Sequence, residues 1–220
     1  RSALIGLTGS ARALHLLLLQ REVGRSILLV TAGDSEIERW ERDLKTWKTF
    51  LQGGPALDDL PSLDADPYQG LSPHLQVSCD RVVALNHLCS GYPAVILIPA
   101  RSLFYKVPSR ERFAAARLPL KAGDTISPDR LCGLLIPAGY SRVEHVTAPG
   151  EFARRGGVVD LYLPQGEVPV RLEFYGEQVE TLRTFNPETQ RSMEALESIE
   201  VLAVRDIPLE QAPLVALGQA

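Results

Sequence analysis

The sequence Ser-Ile-Leu-Leu-Val-Thr at residues 26–31, followed by Gly33-Asp34-Ser35 and a helical pattern to about Phe50, decides the fold of the first half of the chain. A continuous apolar run of this length is typical of a strand that is covered on both faces of a sheet. Asp34 or Ser35 is a candidate N-cap for the helix. A strand followed by a helix of this length predicts a parallel α/β sheet.

The same order recurs on both sides of this segment. The predicted elements are a strand at 3–6, a Gly-rich turn at 6–10, a helix at 11–22, a helix at 74–88 and a strand at 94–99. Residues 53–73 are rich in Gly, Pro, Asp and Ser, which predicts a loop with one short strand around 55–60. Residues 1–117 are therefore predicted to form one α/β domain.

The pattern changes at Leu118. Ser127-Pro128-Asp129 predicts an N-cap with proline at the first helical position, and this helix ends at or before Pro137. Half-buried strands are predicted at 142–147, 158–163, 168–175, 178–185 and 199–204. Residues 118–206 are predicted to form a small α+β domain with an antiparallel sheet, and 207–220 to begin a truncated continuation or a linker.

The charge balance excludes some functions. The 220 residues contain 23 Lys plus Arg and 27 Asp plus Glu, a net charge of −4. No global positive field therefore attracts nucleic acid. Divided after Arg117, the chain has 14 basic and 12 acidic residues before the cut, and 9 and 15 after it. The second part is acidic at −6, so its arginines stand against a background of the opposite sign.

The cysteines and the apolar runs indicate a cytoplasmic protein with no membrane partner. Cys79, Cys89 and Cys132 form no C-x-x-C pair, and three cysteines do not indicate a secreted disulfide framework. The apolar stretch Leu16 to Leu19 is too short to span a bilayer. The sequence begins with Arg1 and holds a single methionine, so we expect it to be a piece of a longer protein.

A modified phosphate loop precedes the first predicted helix. The segment almost matches G-x-x-x-x-G-K-[ST], but Ala11, Arg12 and Ala13 stand where a working loop has its second glycine, its lysine and its Mg²⁺-binding hydroxyl. A cation at Arg12 is also disfavoured by the helix dipole. We predict a degenerate P-loop (RecA-like) domain without hydrolytic function, whose loop residues are Gly6, Gly9, Ser10, Ala11, Arg12 and Ala13. A plain tight turn and weak phosphate or sulfate binding stay open as alternatives.

Other groups of reactive residues predict no chemistry. A candidate metal cluster contains His87 and Cys89, together with His74 and Cys79. His87 and Cys89 are two residues apart on a predicted helix and point about 200° apart, whereas zinc needs converging ligands. The adjacent pair Asp58-Asp59 follows a very short apolar run, which favours a solvated loop over a second nucleotide-binding motif. No catalytic residue, metal or cofactor is predicted.

The most distinctive residues lie at 150–162, 169–177 and 185–192, with Gly-Glu-Phe-x-x-Arg-Gly-Gly from Gly150 and Arg-x-Glu-Phe-x-Gly from Arg171. They resemble the small inserted domain that bacterial transcription-repair-coupling factors share with the excision-repair protein UvrB. The resemblance extends upstream to the loop at Gly6 and covers nearly the whole chain. UvrB carries a complete phosphate loop and an aromatic hairpin, whereas residues 66–73 hold one aromatic residue. The coupling factors are therefore the better match.

The resemblance implies a function for the small domain. In the coupling-factor family this amino-terminal module has lost its ATPase activity, and its small domain binds UvrA and so recruits excision repair to stalled RNA polymerase. The positions of Arg155, Arg171 and Tyr175 match the residues that contact UvrA, with Tyr175 in place of the usual phenylalanine. Other domains of the parent protein are implied as partners that cover this face. RNA polymerase and DNA would be reached only through domains outside this sequence.

Strand alternation supports part of this expectation independently. It sends Arg171, Glu173 and Tyr175 to the face of a strand opposite the apolar residues, where they would form a solvent-facing patch. The next residues, Gly176-Glu177, suit a two-residue hairpin turn. Arginine and aromatic side chains are favoured in protein interfaces. We therefore expect the double substitution Arg155→Ala and Arg171→Ala to abolish UvrA binding and to leave thermal unfolding nearly unchanged.

Arg155 is less well placed by the same reasoning. Counted back from the apolar Val159 and Leu161, it falls on the inward side, and only a bulge at Gly156-Gly157 turns it outward. The remaining arginines of this region are expected to be solvated and to form only weak ion pairs; they are Arg154, Arg183 and Arg191.

The function predicted from the sequence is non-catalytic recruitment of UvrA by a transcription-coupled repair factor. The alternative is a fragment of a UvrB-type, ATP-dependent damage-recognition enzyme. A direct DNA-binding domain is a third hypothesis, but it lacks a basic face with interleaved aromatic residues.

Overall fold

The computed structural model describes residues 6–7, 9–63 and 74–205. The chain divides into two compact units, one of residues 1–73 and 83–106 and the other of residues 74–82 and 107–220. The predicted limits 1–117, 118–206 and 207–220 stay predictions. The predicted strand at 3–6, up to residue 5, and the residues from 206 onward lie outside the described part of the chain.

The first unit contains a parallel three-stranded sheet in the order β1-β3-β2. Its elements, with one helix that continues from the second unit, are α1 (Ala11–Val23), β1 (Ile27–Thr31), α2 (Asp34–Phe50), β2 (Ala56–Asp59), α3 (Leu75–Ser90), β3 (Ala94–Pro99) and a 3₁₀ helix (Ala100–Phe104). The predicted alternation of helices and parallel strands is confirmed. Helix α2 has Gly33 as its N-cap, so the prediction of Asp34 or Ser35 is wrong by one or two residues.

The prediction that β1 is covered on both faces is wrong for the described part of the chain. Leu28 and Val30 are each 49% exposed, whereas every residue of β3 is buried. Leu29 packs with residues of α1 and α2 in one apolar cluster. Leu28 and Val30 project to the opposite face, because side chains alternate along a strand. An apolar run therefore marks the strand without showing how many of its faces are covered.

The second unit contains a six-stranded sheet in the order β10-β9-β8-β7-β6-β5 and a separate pair, β4 with β11. All pairs are antiparallel except β5 with β6. The elements are α4 (Arg110–Ala115), β4 (Leu118–Lys121), α5 (Pro128–Leu135), β5 (Ser141–Arg142), β6 (Glu151–Arg155), β7 (Val158–Leu161), β8 (Val170–Tyr175), β9 (Gln178–Phe185), β10 (Ser192–Ala195) and β11 (Ser198–Val201). The mixed α/β fold with parallel and antiparallel sheets is thus confirmed.

Helix α5 begins as its sequence predicts. Ser127 is the N-cap, its hydroxyl accepts a hydrogen bond from the backbone N–H of Arg130 at 3.2 Å, and Pro128 is the first helical residue. The apolar side of α5 packs against the sheet: Leu131 and Leu135 belong to the same buried cluster as Phe152.

The predicted strand at 142–147 is limited to Ser141–Arg142. The Glu151 carboxylate accepts hydrogen bonds from the backbone N–H groups of Thr147 and Ala148, at 2.8 and 2.9 Å. This side-chain contact satisfies backbone groups that a strand neighbour satisfies elsewhere, so the segment forms a loop. Strands β6 and β10 were not predicted.

Gly150 occupies a position that requires glycine. Its φ is +82°, and a Cβ atom there would lie 3.0 Å from Leu75 Cδ1 and 3.2 Å from Cys79 Sγ. The left-handed backbone turns the chain into β6 and lets it approach α3 closely. The glycine of the Gly-Glu-Phe motif is therefore structural.

Within residues 6–7, 9–63 and 74–205, no helix has the length and apolar character needed to cross a bilayer.

Candidate docking surface

The register of β6 to β9 brings the predicted site residues to one face of the six-stranded sheet. Asp160 on β7 lies opposite Arg171 on β8, and Arg171 lies opposite Arg183 on β9. In the next row toward the hairpin ends, Arg155 lies opposite Val158, which lies opposite Glu173. We call this surface the outer face; it comprises Arg155, Val158, Asp160, Arg171, Glu173, Tyr175 and Arg183. The opposite, inner face packs into the apolar core.

Tyr175 ends β8 and is 79% exposed. It pairs with Gln178 across the two-residue turn Gly176-Glu177, in which Gly176 has a φ of +62°. A glycine at the first turn position provides the positive φ that this kind of hairpin requires. The ring of Tyr175 is thus a large apolar surface with a hydroxyl, available to solvent.

Arg171 lies on the outer face as strand alternation predicts, but the expectation that it is solvent-facing is wrong. Its side chain is only 16% exposed. Nε donates to Asp160 Oδ1 at 2.7 Å and Nη2 to Oδ2 at 2.8 Å, while Nη1 donates to the Gln190 carbonyl at 3.2 Å. The guanidinium carbon lies 4.7 Å from the centre of the Phe185 ring. The hydrogen bonds to the Asp160 carboxylate are the main reason that the pKa of Arg171 is raised.

Asp160 is the residue of this surface that sequence reasoning missed. Its side chain is 4% exposed, and its neighbours on β7, Val159 and Leu161, are fully buried. A single carboxylate in an apolar strand is a recognisable signal, because a buried charge needs a partner. The sequence alone does not reveal that the partner is Arg171, since that depends on the register of β7 with β8.

Arg155 is exposed, but not through a bulge. Gly156 and Gly157 form a two-residue turn, and Arg155 pairs directly with Val158 across it. The prediction that Arg155 lies on the inward side is therefore wrong, because it treats residues 155–159 as one continuous strand. Its Nη2 donates to the Glu144 carbonyl at 2.7 Å. Arg155 also lines a cavity of about 450 Å³ with Arg142, Glu144 and Arg154.

Arg154 is half-buried and forms an ion pair with the exposed Asp129, as expected of a surface arginine, and Arg183 and Arg191 are exposed. Both Nη atoms of Arg154 donate to the Asp129 carboxylate. This hydrogen bonding, followed by the charges of Arg154 and Arg142, lowers the pKa of Asp129 below its usual value. Arg154 therefore joins β6 to α5, on the side of the sheet away from the outer face.

The loop before α1 carries a left-handed Gly6 and Gly9, with φ of +90° and +54°. The Arg12 guanidinium lies 5.0 Å from the centre of the Trp40 ring, and Trp47 Nε1 donates to the Ser10 carbonyl at 2.9 Å. Ala13 is fully buried. The contacts of Arg12 and Ser10 are thus with tryptophans of α2, and the phosphate-loop shape stays a prediction.

Asp58 lies in β2, within the short strand that the sequence predicts around 55–60, and the prediction that the Asp58-Asp59 pair lies in a solvated loop is wrong. Its Oδ2 lies 2.6 Å from Nδ1 of His87, whose ring is 5.0 Å from that of Tyr92. In the described residues, no three or more His, Cys, Asp or Glu side chains are arranged to hold a metal ion. Cys79, Cys89 and Cys132, all in the described part of the chain, form no disulfide bond.

Comparison with known proteins extends these observations. Residues 118–206 match the family model of the UvrB interaction domain. The chain is 30% identical over 204 residues to a transcription-repair-coupling factor of Bacillus subtilis (strain 168), covering 93% of this chain and 17% of that protein. It is 32% identical over 148 residues to the protein of the same name from Escherichia coli (strain K12), covering 67% of this chain and 13% of that protein.

A third relative, the transcription-repair-coupling factor of Myxococcus xanthus, is 30% identical over 212 residues, covering 93% of this chain and 17% of that protein. The chain thus spans less than a fifth of the length of these curated relatives.

Proposed function

Because residues 118–206 belong to the UvrB interaction domain family, in a chain that aligns with transcription-repair-coupling factors, we propose that this protein is a non-catalytic module that binds UvrA. In this proposal Arg155, Arg171 and Tyr175 form the contact, and docking brings nucleotide excision repair to stalled RNA polymerase. RNA polymerase and DNA are bound by other domains of a longer protein. Such domains also cover the docking surface until repair begins.

The observation that carries the proposal is the common position of these three residues on the outer face. Arg155 is two strands away from Glu173, a separation of about 10 Å, and Tyr175 lies two residues beyond Glu173, about 7 Å along the strand. An exposed aromatic ring and two arginines within so small an area have the composition of the energetic centre of a protein interface.

The test uses the two exposed members of the contact. Tyr175→Ala removes a ring that touches little of its own protein, and Arg155→Ala removes a guanidinium at the end of a hairpin. We expect each variant to bind UvrA at least about tenfold more weakly, measured by titration with purified UvrA. Urea unfolding of both variants should stay close to that of the wild type, because exposed side chains contribute little to stability.

Arg130→Ala is the matched control, since Arg130 is an exposed arginine on α5 and not part of the outer face. Tyr175→Phe retains the ring and no longer has a hydroxyl to desolvate, so its affinity should equal or exceed that of the wild type. Wild-type affinity of Tyr175→Ala and Arg155→Ala would contradict the proposed contact.

We also propose that the loop at residues 6–13 is a degenerate phosphate loop and that the module does not hydrolyse nucleotides. Ala13 provides no hydroxyl for Mg²⁺, and Arg12 is engaged by Trp40. Titration calorimetry with Mg-ATP should give no heat of tight binding. A clear binding heat would instead favour the UvrB-type, ATP-dependent alternative.

A further inference from the structure

We propose that Asp160 is a positioning residue that holds the Arg171 guanidinium in the orientation used for docking. The proposal rests on the UvrA-binding function proposed above and adds to it a residue that does not itself touch the partner. Asp160 acts through Arg171, from the neighbouring strand β7.

Within the described part of the chain, the guanidinium of Arg171 contacts three groups. The Asp160 carboxylate accepts two hydrogen bonds along one edge, the Gln190 carbonyl accepts a third, and the Phe185 ring lies against one side. These contacts fix both the position and the plane of the group. A guanidinium has five N–H groups, so two are left for an acceptor of the partner.

The loop after β9 is built to present the Gln190 carbonyl. The Asn186 side-chain oxygen accepts from the backbone N–H groups of Glu188 and Thr189, at 2.9 and 2.8 Å, and Gln190 N donates to the Asn186 carbonyl at 2.8 Å. Gln190 itself has a φ of +59°, a left-handed conformation that non-glycine residues adopt infrequently. The loop thus provides a second fixed contact for Arg171.

Asp160 also removes an electrostatic conflict. Arg171 and Arg183 are directly opposite on β8 and β9, an arrangement of like charges that destabilises a strand pair. The Asp160 charge compensates that of Arg171, so the two arginines tolerate each other. The Arg171–Asp160 pair is therefore a neutral, rigid donor, and it fits a hydrogen-bond acceptor such as a backbone carbonyl of UvrA. Rigidity reduces the entropy lost when such a donor binds.

The experiment measures UvrA affinity of the whole chain at 10 °C, with the folded fraction of each variant determined by urea titration. Asp160→Asn keeps the size of the side chain and removes its charge, and we expect binding about tenfold weaker. Asp160→Glu keeps the charge but shifts the carboxylate by about one methylene group, and we expect a loss of about threefold. Glu180→Gln, at an exposed acidic position on β9, should bind like the wild type.

A purely structural role is separated from positioning by a double-mutant cycle. If Asp160 acts through Arg171, adding Asp160→Asn to Arg171→Gln should cause no further loss of affinity. An additive loss, or wild-type affinity in either folded Asp160 variant, would overturn the proposal. If Asp160→Asn does not fold, the affinity of Asp160→Glu decides whether the proposal holds. Failure of the unsubstituted chain to bind UvrA would instead contradict UvrA docking itself, so the two failures can be distinguished.

Ionic strength provides a second measurement. The affinity lost in the Arg171→Gln, Asp160→Asn double variant should change little between 50 and 300 mM NaCl, because it replaces a pair without net charge by two neutral side chains. The affinity lost in Arg155→Ala should decrease as salt is added, since that side chain is exposed and has no carboxylate partner among the described residues. An equally steep salt dependence of the losses in the double variant and in Arg155→Ala would contradict the neutral-donor role.

Discussion

At the scale of the residue, Arg171 differs most from its sequence-based interpretation. An arginine in an alternating strand is expected to be solvated and to contribute little to stability. Here its ion pair with Asp160 is largely shielded from water, and the Phe185 ring covers one side of the guanidinium. The same side chain is therefore part of the fold and part of the proposed contact, and substitutions at Arg171 act on both.

Arg171→Ala should lower the free energy of unfolding by about 2–4 kcal/mol, because it leaves the buried Asp160 carboxylate without its partner. Arg183→Ala, on the neighbouring strand, should change it by less than about 0.5 kcal/mol. Urea unfolding followed by circular dichroism measures both. This corrects the expectation that the Arg155→Ala, Arg171→Ala double variant unfolds like the wild type. Equal stability of the two single variants would contradict a stabilising ion pair.

The buried thiol of Cys79 should make the stability of the protein depend on pH. Burial, followed by the charge of Asp80, raises the pKa of its thiol from about 9 to about 12. The folded state therefore retains a proton that the unfolded state loses above pH 9, so stability should fall as the pH rises from 9 toward 12. Urea midpoints at pH 8, 9, 10 and 11 measure this. The decrease should be smaller in Cys79→Ala; an identical decrease in both proteins would refute the contribution of Cys79.

At the scale of the element, the residues of the motif that begins at Gly150 have different roles. The Gly-Glu-Phe sequence at residues 150–152 shapes the entry to β6: Gly150 provides a left-handed backbone, Glu151 binds the preceding loop and Phe152 enters the core. The glycine pair that follows Arg155 forms the β6–β7 turn and so exposes that arginine. A single motif thus combines structural residues with one candidate docking residue.

Gly150→Ala should lower the free energy of unfolding by about 2–4 kcal/mol, through a positive φ combined with close contacts to Leu75 and Cys79. Gly156→Ala is the matched control, because Gly156 also has a positive φ of +62° but no atom within 4 Å of an added Cβ. Gly156→Ala should lower the free energy of unfolding by only about 1 kcal/mol. Urea unfolding separates the effect of the positive φ from that of the close contact. Equal losses of stability in the two variants would show that the contact of residue 150 with α3 does not affect the free energy of unfolding.

At the scale of the whole molecule, the family match covers residues 118–206, whereas the second compact unit also includes residues 74–82 and 107–117. Cys79 is part of the buried cluster that contains Val159 and Leu172, and Leu75 packs against it. The core of the proposed docking domain therefore depends on the start of α3, which lies well before the matched segment in the chain.

A fragment of residues 118–206 should unfold at a lower urea concentration than the second unit does within the whole chain, because it lacks Leu75 and Cys79 from its core. The single substitution Leu75→Ala in the whole chain should reproduce part of this loss of stability. For a half-buried leucine, we expect the free energy of unfolding to fall by about 1–3 kcal/mol. Unfolding is followed by near-ultraviolet circular dichroism of the tyrosines. A fragment as stable as the whole chain would show that α3 is dispensable for this core.

Much of the architecture could be predicted from local patterns. Residues 26–31 and 94–99 indicated parallel strands because apolar runs of that length, alternating with helices, have few other solutions, and the Ser127-Pro128 cap marked the start of α5. Strands β6 and β10 escaped prediction because short strands with polar residues have no distinctive periodicity. The Glu151 side chain shortened another predicted strand, an effect of a contact that no local pattern records.

By itself, the sequence determined the α/β class, the turn glycines and the outward position of Tyr175, because these depend on chain neighbours and on strand alternation. Only the tertiary structure decided that Arg171 is paired with Asp160, that Arg155 is exposed and that Leu28 and Val30 of β1 are left half open to solvent. These properties depend on strand register, on where a hairpin turns and on which helices cover a sheet, and the local pattern of residues specifies none of the three.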